Sequence, residues 1–241
     1  MAGCAFVAGA SGVVGRALAR ILIADGWRVV GTTRSAEKAE AMRRAGIEPV
    51  VVNVFFAAAL QRALVEAAPD VVVHQLTDLP PGLDPTRLGE ARERNARIRD
   101  EGTRNLVVAA VQAGAQRLVA QSVAFAYAEG SKPHREGDPL DVWAPGGAGV
   151  SARGVASLER QVMQAPLQGL VLRYGRLYGP GSGFDKPPAP GALHVDAAAH
   201  AARLAMTQGK PGIYNIAEDD GTVDIVKARR ELGWDPAFRS A

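Results

Sequence analysis

The chain has 241 residues, 47% of them hydrophobic, 22% charged and 5% aromatic, with a formal net charge of +3. Such a length and composition suit one α/β core with a small appendage, and exclude a disordered, collagenous or membrane-spanning chain. The single cysteine, Cys4, excludes an intrachain disulfide and a cysteine-based metal cluster, and the charge is too small for a nucleic-acid surface. The arginines between 87 and 104 are interleaved with Glu90, Glu93, Asp100 and Glu101, which reads as a solvated helical face. The four histidines are scattered, so no metal site is expected. Met1 leads into an apolar run without a basic flank, and no apolar stretch approaches the roughly 18 residues of a membrane span. A cytoplasmic protein is expected.

Apolar runs bounded by turn residues at 5–8, 28–31, 49–52, 70–75, 117–121 and 170–173 predict buried parallel strands. Between them, helical periodicity covers 14–25, 36–45, 57–67, a long stretch 85–113, and 154–164. This alternation predicts an α/β fold with a Rossmann-type doubly wound parallel sheet, whose ligands bind beyond the carboxyl ends of the strands. The Gly- and Pro-rich run 178–193 reads as loop. We expect residues 1–175 to form the dinucleotide-binding part and 176–241 a reduced substrate-binding part, packed together as one unit.

The first strand runs into Gly9-Ala10-Ser11-Gly12-Val13-Val14-Gly15 and then an amphipathic helix. Glycines at such a turn let the backbone bend sharply and approach a pyrophosphate, while the helix N-terminus offers free N–H groups and the positive end of its dipole. The spacing is G-x-x-G-x-x-G. Further pieces are Asn53-Val54, Asp70 to Thr77 (DVVVHQLT), Gly102-Thr-Arg-Asn105, Gln121-Ser122 with Tyr127, Leu172-Arg-Tyr-Gly-Arg-Leu-Tyr-Gly-Pro-Gly181, His194-Val-Asp196, Gly212-Ile-Tyr-Asn215 and Leu232-Gly-Trp-Asp-Pro236. With these motifs the chain resembles the extended short-chain dehydrogenase/reductase superfamily, the NAD(P)-dependent epimerase/dehydratase group, over nearly its whole length. The resemblance implies that Gly9, Ser11, Gly12, Val13, Val14 and Gly15 hold the pyrophosphate. It also implies that Asn53 and Val54 lie at the adenine, with Asn53 where an Asp is usual. Thr77 would lie beside the nicotinamide-side ribose, and Tyr174 and Gly175 beside the nicotinamide.

The second strand ends in Arg34 with no carboxylate to grip a ribose 2′-hydroxyl. A guanidinium there pairs with a 2′-phosphate, so NADP is expected before NAD.

One family feature is missing. The resemblance places a Tyr-x-x-x-Lys pair at the start of the helix after the fifth strand, four residues before a Glu. Anchoring on Glu159 puts Ser151 and Val155 at those positions, and no tyrosine lies between Tyr127 and Tyr174. Val155 carries no charge, and an unaided serine hydroxyl is a poor acid near neutral pH. Ser122 and Tyr127 are therefore the candidate catalytic residues. His194 and Asp196 are expected to pack rather than react. Only the short run 182–193 separates the Gly-Pro-Gly turn from His194, which suits a small substrate better than a nucleotide-sugar.

These readings converge on an NAD(P)-binding oxidoreductase or epimerase-like enzyme that acts on a small carbonyl, hydroxyl or sugar-derived metabolite without the usual dyad. Two alternatives stay open: a non-catalytic NADP-binding sensor or partner protein, and a non-redox cyclase, lyase or isomerase on the same fold. Expected partners are a small-molecule substrate and a second copy of the chain in a homodimer, with no nucleic acid or membrane.

Overall fold

The computed structural model describes residues 3–80 and 85–240. In chain order the elements are β1 (Cys4–Ala8), α1 (Val13–Ala24), β2 (Arg28–Thr33), α2 (Ala36–Arg44), β3 (Glu48–Val51), α3 (Ala57–Ala67), β4 (Val71–His74), α4 (Leu88–Arg97) and α5 (Thr103–Gln112). They continue with β5 (Arg117–Val123), α6 (Gly146–Gln164), β6 (Gln168–Tyr174), β7 (Arg176–Tyr178), β8 (Ala192–His194), α7 (Val195–Ala205), β9 (Gly212–Ile216) and α8 (Val226–Leu232).

Seven strands form one sheet in the order β3-β2-β1-β4-β5-β6-β9, and each neighbouring pair is parallel. This is the expected Rossmann-type doubly wound sheet, with the chain reversing direction at the boundary between β1 and β4. β1 and β4 are buried along their whole lengths, as strands covered by helices on both faces must be. On one face α1 and α7 pack through Leu18, Leu22 and the alanines of α7. On the other, Leu60, Leu64, Leu106 and Leu158 bring in α3, α5 and α6. The segment after 175 returns to the sheet through β9, whose Leu172↔Tyr214 register places Asn215 beside Arg173.

Three elements differ from the sequence expectation. The stretch expected as one helix over 85–113 is a 3-10 turn (Pro85–Arg87), α4, a π-helical turn (Ile98–Gly102) and α5. α6 begins at Gly146 rather than 154. Its glycines mark close approach rather than a break: a Cβ on Gly154 would stand 2.9 Å from the Ala96 Cα of α4. The run 178–193 also ends inside a short strand, β8, which pairs with β7. Among the described residues no helix is long and apolar enough to cross a membrane.

Candidate active site

The turn after β1 is a backbone cradle. Gly9 has φ +91°, and a Cβ there would lie 2.7 Å from the Gln75 carbonyl oxygen. A Cβ on Gly15 would lie 2.3 Å from the Gly9 carbonyl oxygen, so both glycines are required sterically. Gly9 N–H donates to Thr32 Oγ1 (3.0 Å) and Gly12 N–H to the Gly9 carbonyl (2.9 Å). Gly12 caps α1 without any side-chain hydrogen bond, which leaves the first N–H groups of the helix free, and the first turn carries no acidic residue. Arg16 adds positive charge, its guanidinium donating to the Ser11 carbonyl at 3.4 Å. These residues fit a dinucleotide diphosphate, which the free amides and the dipole of α1 would hold.

Around the cradle stand the other expected cofactor contacts. Arg34 is ion-paired with Asp78 at 2.9 Å, and Arg94 approaches the same carboxylate at 3.1 Å. Burial pushes the Asp78 carboxyl up, but its hydrogen bonds and charge contacts with Arg34 and Arg94 outweigh this and hold it below the usual range. Asn53 Oδ1 accepts from Phe55 N–H (3.1 Å), and the Val54 carbonyl accepts from Asn105 Nδ2 (2.9 Å). Thr77 is exposed just past β4. The turn leading to it is organised by His74, whose Nδ1 accepts from Leu76 N–H while Nε2 meets Thr103 Oγ1 at 3.1 Å. Burial, with the charge of Arg99 adding to it, pushes the His74 pKa down to about 4, so the ring is neutral.

At the carboxyl ends of β5 and β6 the architecture changes to side chains. Glu159 on α6 and Arg173 on β6 form a buried pair, with Nε to Oε1 at 2.8 Å and Nη2 to Oε2 at 2.7 Å. Ser122 Oγ donates to the same Glu159 Oε1 at 2.8 Å and is 1% exposed. Arg173 lies over the Tyr127 ring at 4.8 Å, and Tyr127 stacks on His134 with centroids 4.8 Å apart. The Tyr127 hydroxyl donates to Asn215 Oδ1 at 2.6 Å. Burial raises the Tyr127 pKa above that of a free phenol despite the opposing charge of Arg173. The loop over 131–138 is tied down by the Arg173 Nη1 bond to the Glu136 carbonyl (3.2 Å) and by Asn215 N–H to Glu136 Oε1 (3.0 Å).

Above this frame lies a cavity of about 330 Å³, whose walls include Phe125, Tyr127, Lys132, His134, Arg176 and Pro190. Of the two expected catalytic residues, Tyr127 lines this cavity and Ser122 does not. Side chains alternate along β5, and Ser122 faces α6. Tyr174 is likewise turned inward: its hydroxyl donates to the Ala198 carbonyl (3.1 Å) and accepts from Gln75 Nε2 (3.3 Å), and burial raises its pKa. Gly175 is buried, its N–H bonded to the Ile216 carbonyl at 2.9 Å. On α6, Ser151 Oγ accepts from Arg99 Nη1 at 2.9 Å, and Val155 packs with Val123, Ala126 and Ala152. The sequence reading passed over Phe125, Lys132 and Arg176 as cavity residues. The available signal was Arg176 itself, a cation two positions beyond a strand whose carboxyl end must face ligand.

A switch-point cradle of glycines at the first βα turn defines a nucleotide-binding α/β enzyme. The comparisons narrow the class: the model of the NAD dependent epimerase/dehydratase family matches residues 5–193, and the chain belongs to that family. It is an enzyme of the NAD-dependent epimerase/dehydratase/reductase type. A protein described as a 3-diazoavenalumate denitrifying reductase, from a Streptomyces species, is 43% identical across 89% of this chain and 75% of its own length. Among solved structures, the UDP-glucose 4-epimerase of Thermotoga maritima with UDP-glucose superposes with a TM-score of 0.77 at 17% identity, covering 98% of this chain and 94% of that one. WbmG of Bordetella bronchiseptica, in complex with NAD and UDP, gives 0.74 at 19% identity, covering 98% and 89%. At these identities the structural likeness speaks for the fold.

Proposed function

We propose that this enzyme is a nicotinamide-dependent reductase whose acceptor is a small aryl diazonium compound, and that it removes the nitrogen as N2. The carrying observation is what stands at the α6 positions where, anchored on Glu159, the family pattern puts the proton donor of a carbonyl reductase. The α6 positions that the family pattern assigns to a Tyr and a Lys hold Ser151, engaged by Arg99, and the apolar-packed Val155. Tyr127, the phenol on the cavity wall, already donates its hydrogen bond to Asn215 Oδ1 and has a raised pKa.

A dinucleotide held in the glycine cradle would supply a hydride. Reduction of a carbonyl by hydride must also deliver a proton to oxygen, which is the task of a general acid. A diazonium group needs none. Hydride adds to the terminal nitrogen, the N≡N bond becomes N=N, and the resulting diazene loses N2 as its N–H hydrogen passes to carbon. The net change, R–N2⁺ plus hydride to R–H plus N2, consumes no proton from the protein. What this chain must do is bind, orient and exclude water. The name of the Streptomyces relative, which joins a diazo substrate to nitrogen loss and reduction, supports the same chemistry.

The same reading takes NADP as the preferred dinucleotide. Arg34 closes β2 where the ribose 2′-position is expected, and a 2′-phosphate would take the place of Asp78 as its partner. Titration of NADPH and NADH should show tighter NADPH binding that Arg34→Ala erases; equal affinities in the unaltered protein overturn this preference.

The reaction is tested with 4-carboxybenzenediazonium and reduced cofactor. One N2 should be released per cofactor oxidised, faster than without protein. No acceleration of N2 release, or turnover of a carbonyl panel with the diazonium ignored, overturns the reading.

A further inference from the structure

We propose that the cavity beyond β5 and β6 is a carboxylate-recognition subsite, in which Arg176 and Lys132 hold the anionic end of a flat unsaturated or aromatic acid against Phe125. The proposal deepens the reductase reading by naming its substrate class, and rests on it for the reaction.

Charge accounting comes first. The cavity walls carry Arg176 and Lys132 and no Asp or Glu. Neither cation has a carboxylate partner among the described residues. This sets them apart from Arg173 immediately below, whose charge is taken up by Glu159 at 2.7 Å, and from Arg34, held by Asp78. Two unpaired cations on one concave wall raise the local potential for an anion.

Geometry comes second. The Arg176 guanidinium lies over the Phe125 ring at 4.5 Å, which keeps it beside the cavity. A guanidinium suits bidentate pairing with a carboxylate. Phe125 is 46% exposed, a large aromatic surface left uncovered beside the cations. A flat acid would cover it while placing its charge on Arg176 and Lys132.

Size comes third. About 330 Å³ lies at the small end of ligand pockets, enough for a single-ring acid with a short side chain and too little for a nucleotide-sugar. Of the Glu159–Arg173–Tyr127 frame only Tyr127 lines the cavity, its hydroxyl already partnered by Asn215, so specificity falls to the other groups at the wall.

Calorimetric titration of the intact protein with cinnamate and with cinnamamide, its uncharged isostere, tests the subsite without any turnover. Cinnamate should bind at least about tenfold more tightly than cinnamamide, and Arg176→Gln and Lys132→Met should each remove most of that preference. Cinnamamide affinity, dinucleotide affinity and circular dichroism should stay as in the unaltered protein, which separates loss of the subsite from loss of the fold. No measurable cinnamate binding, equal binding of the two probes, or unchanged preference in both variants overturns the proposal. The two readings fail differently. Selective cinnamate binding without N2 release from 4-carboxybenzenediazonium keeps the subsite and removes the reaction. N2 release at equal kcat/KM from charged and uncharged diazonium compounds keeps the reaction and removes the subsite.

Discussion

The cofactor cradle and the frame beneath the cavity are built from different materials. At Gly9 to Gly15 the working groups are backbone amides, and the residues are chosen for what they lack: Gly15 is there because a Cβ would strike the Gly9 carbonyl. At the ends of β5 and β6 the working groups are side chains from four distant segments, joined as Ser122, Glu159, Arg173, Tyr127 and Asn215. A backbone site tolerates almost any neighbour that keeps its path. A side-chain network depends on every member, because a buried charge that loses its partner has no water to turn to.

The largest expected effect breaks the side-chain region. Glu159→Ala leaves the Arg173 guanidinium, 3% exposed, without its carboxylate, and should cost about 3–5 kcal/mol in denaturant unfolding. Replacing both partners by Met should cost distinctly less, because no charge is then stranded. A loss under about 1 kcal/mol for the single variant would mean that the pair is not the anchor of this region.

His74 sits between the two regions and sharpens their boundary through pH. Its folded pKa, about 4, lies below the ordinary value of 6.5, so the unfolded chain binds the extra proton between those limits. Stability is therefore full above about pH 6.5 and falls as the pH drops towards 4, by about 3 kcal/mol when complete. His74→Asn should shrink that slope; an unchanged slope between pH 4 and 6.5 would assign it to other groups.

The backbone region is tested by Gly15→Ala. The added methyl pushes the Gly9 carbonyl out of the turn, so dinucleotide affinity should fall by at least about a hundredfold, about 2.7 kcal/mol, with the circular dichroism spectrum retained. Binding as tight as in the unaltered protein would show that the turn holds no diphosphate. The smallest effect lies outside both regions: Ser151→Ala should leave kcat/KM within about threefold, under about 0.7 kcal/mol. A hundredfold fall would make Ser151 the proton donor and return the enzyme to carbonyl chemistry.

The same contrast explains what could be read from the sequence. Buried parallel strands and the glycine turn are local patterns, so the sheet, the first helices and the cradle at Gly9, Gly12 and Gly15 were legible. Tyr127, singled out with the Gln121-Ser122 motif, lines the cavity. Ser122 was expected to react and instead donates to Glu159, 37 residues away, a partnership no local pattern announces. Lys132 and Arg176 share a wall only because the loop over 131–138 folds back over β6. The start of α6 was missed because Gly147 and Gly154 look like helix breakers until α4 is seen packed against them.

The wall of the cavity is stitched by two main-chain bonds, His134 N–H to the Thr222 carbonyl at 3.1 Å and Asp224 N–H to the His134 carbonyl at 2.8 Å, and by the Arg173 guanidinium donating to the Glu136 carbonyl. None of these bonds uses the side chain of Phe125, Lys132 or Arg176. The recognition surface can thus be rewritten residue by residue while the scaffold that presents it stays standing. Such a division makes the site readily evolvable: a lineage can exchange one acid for another through a few exposed positions, without renegotiating the fold.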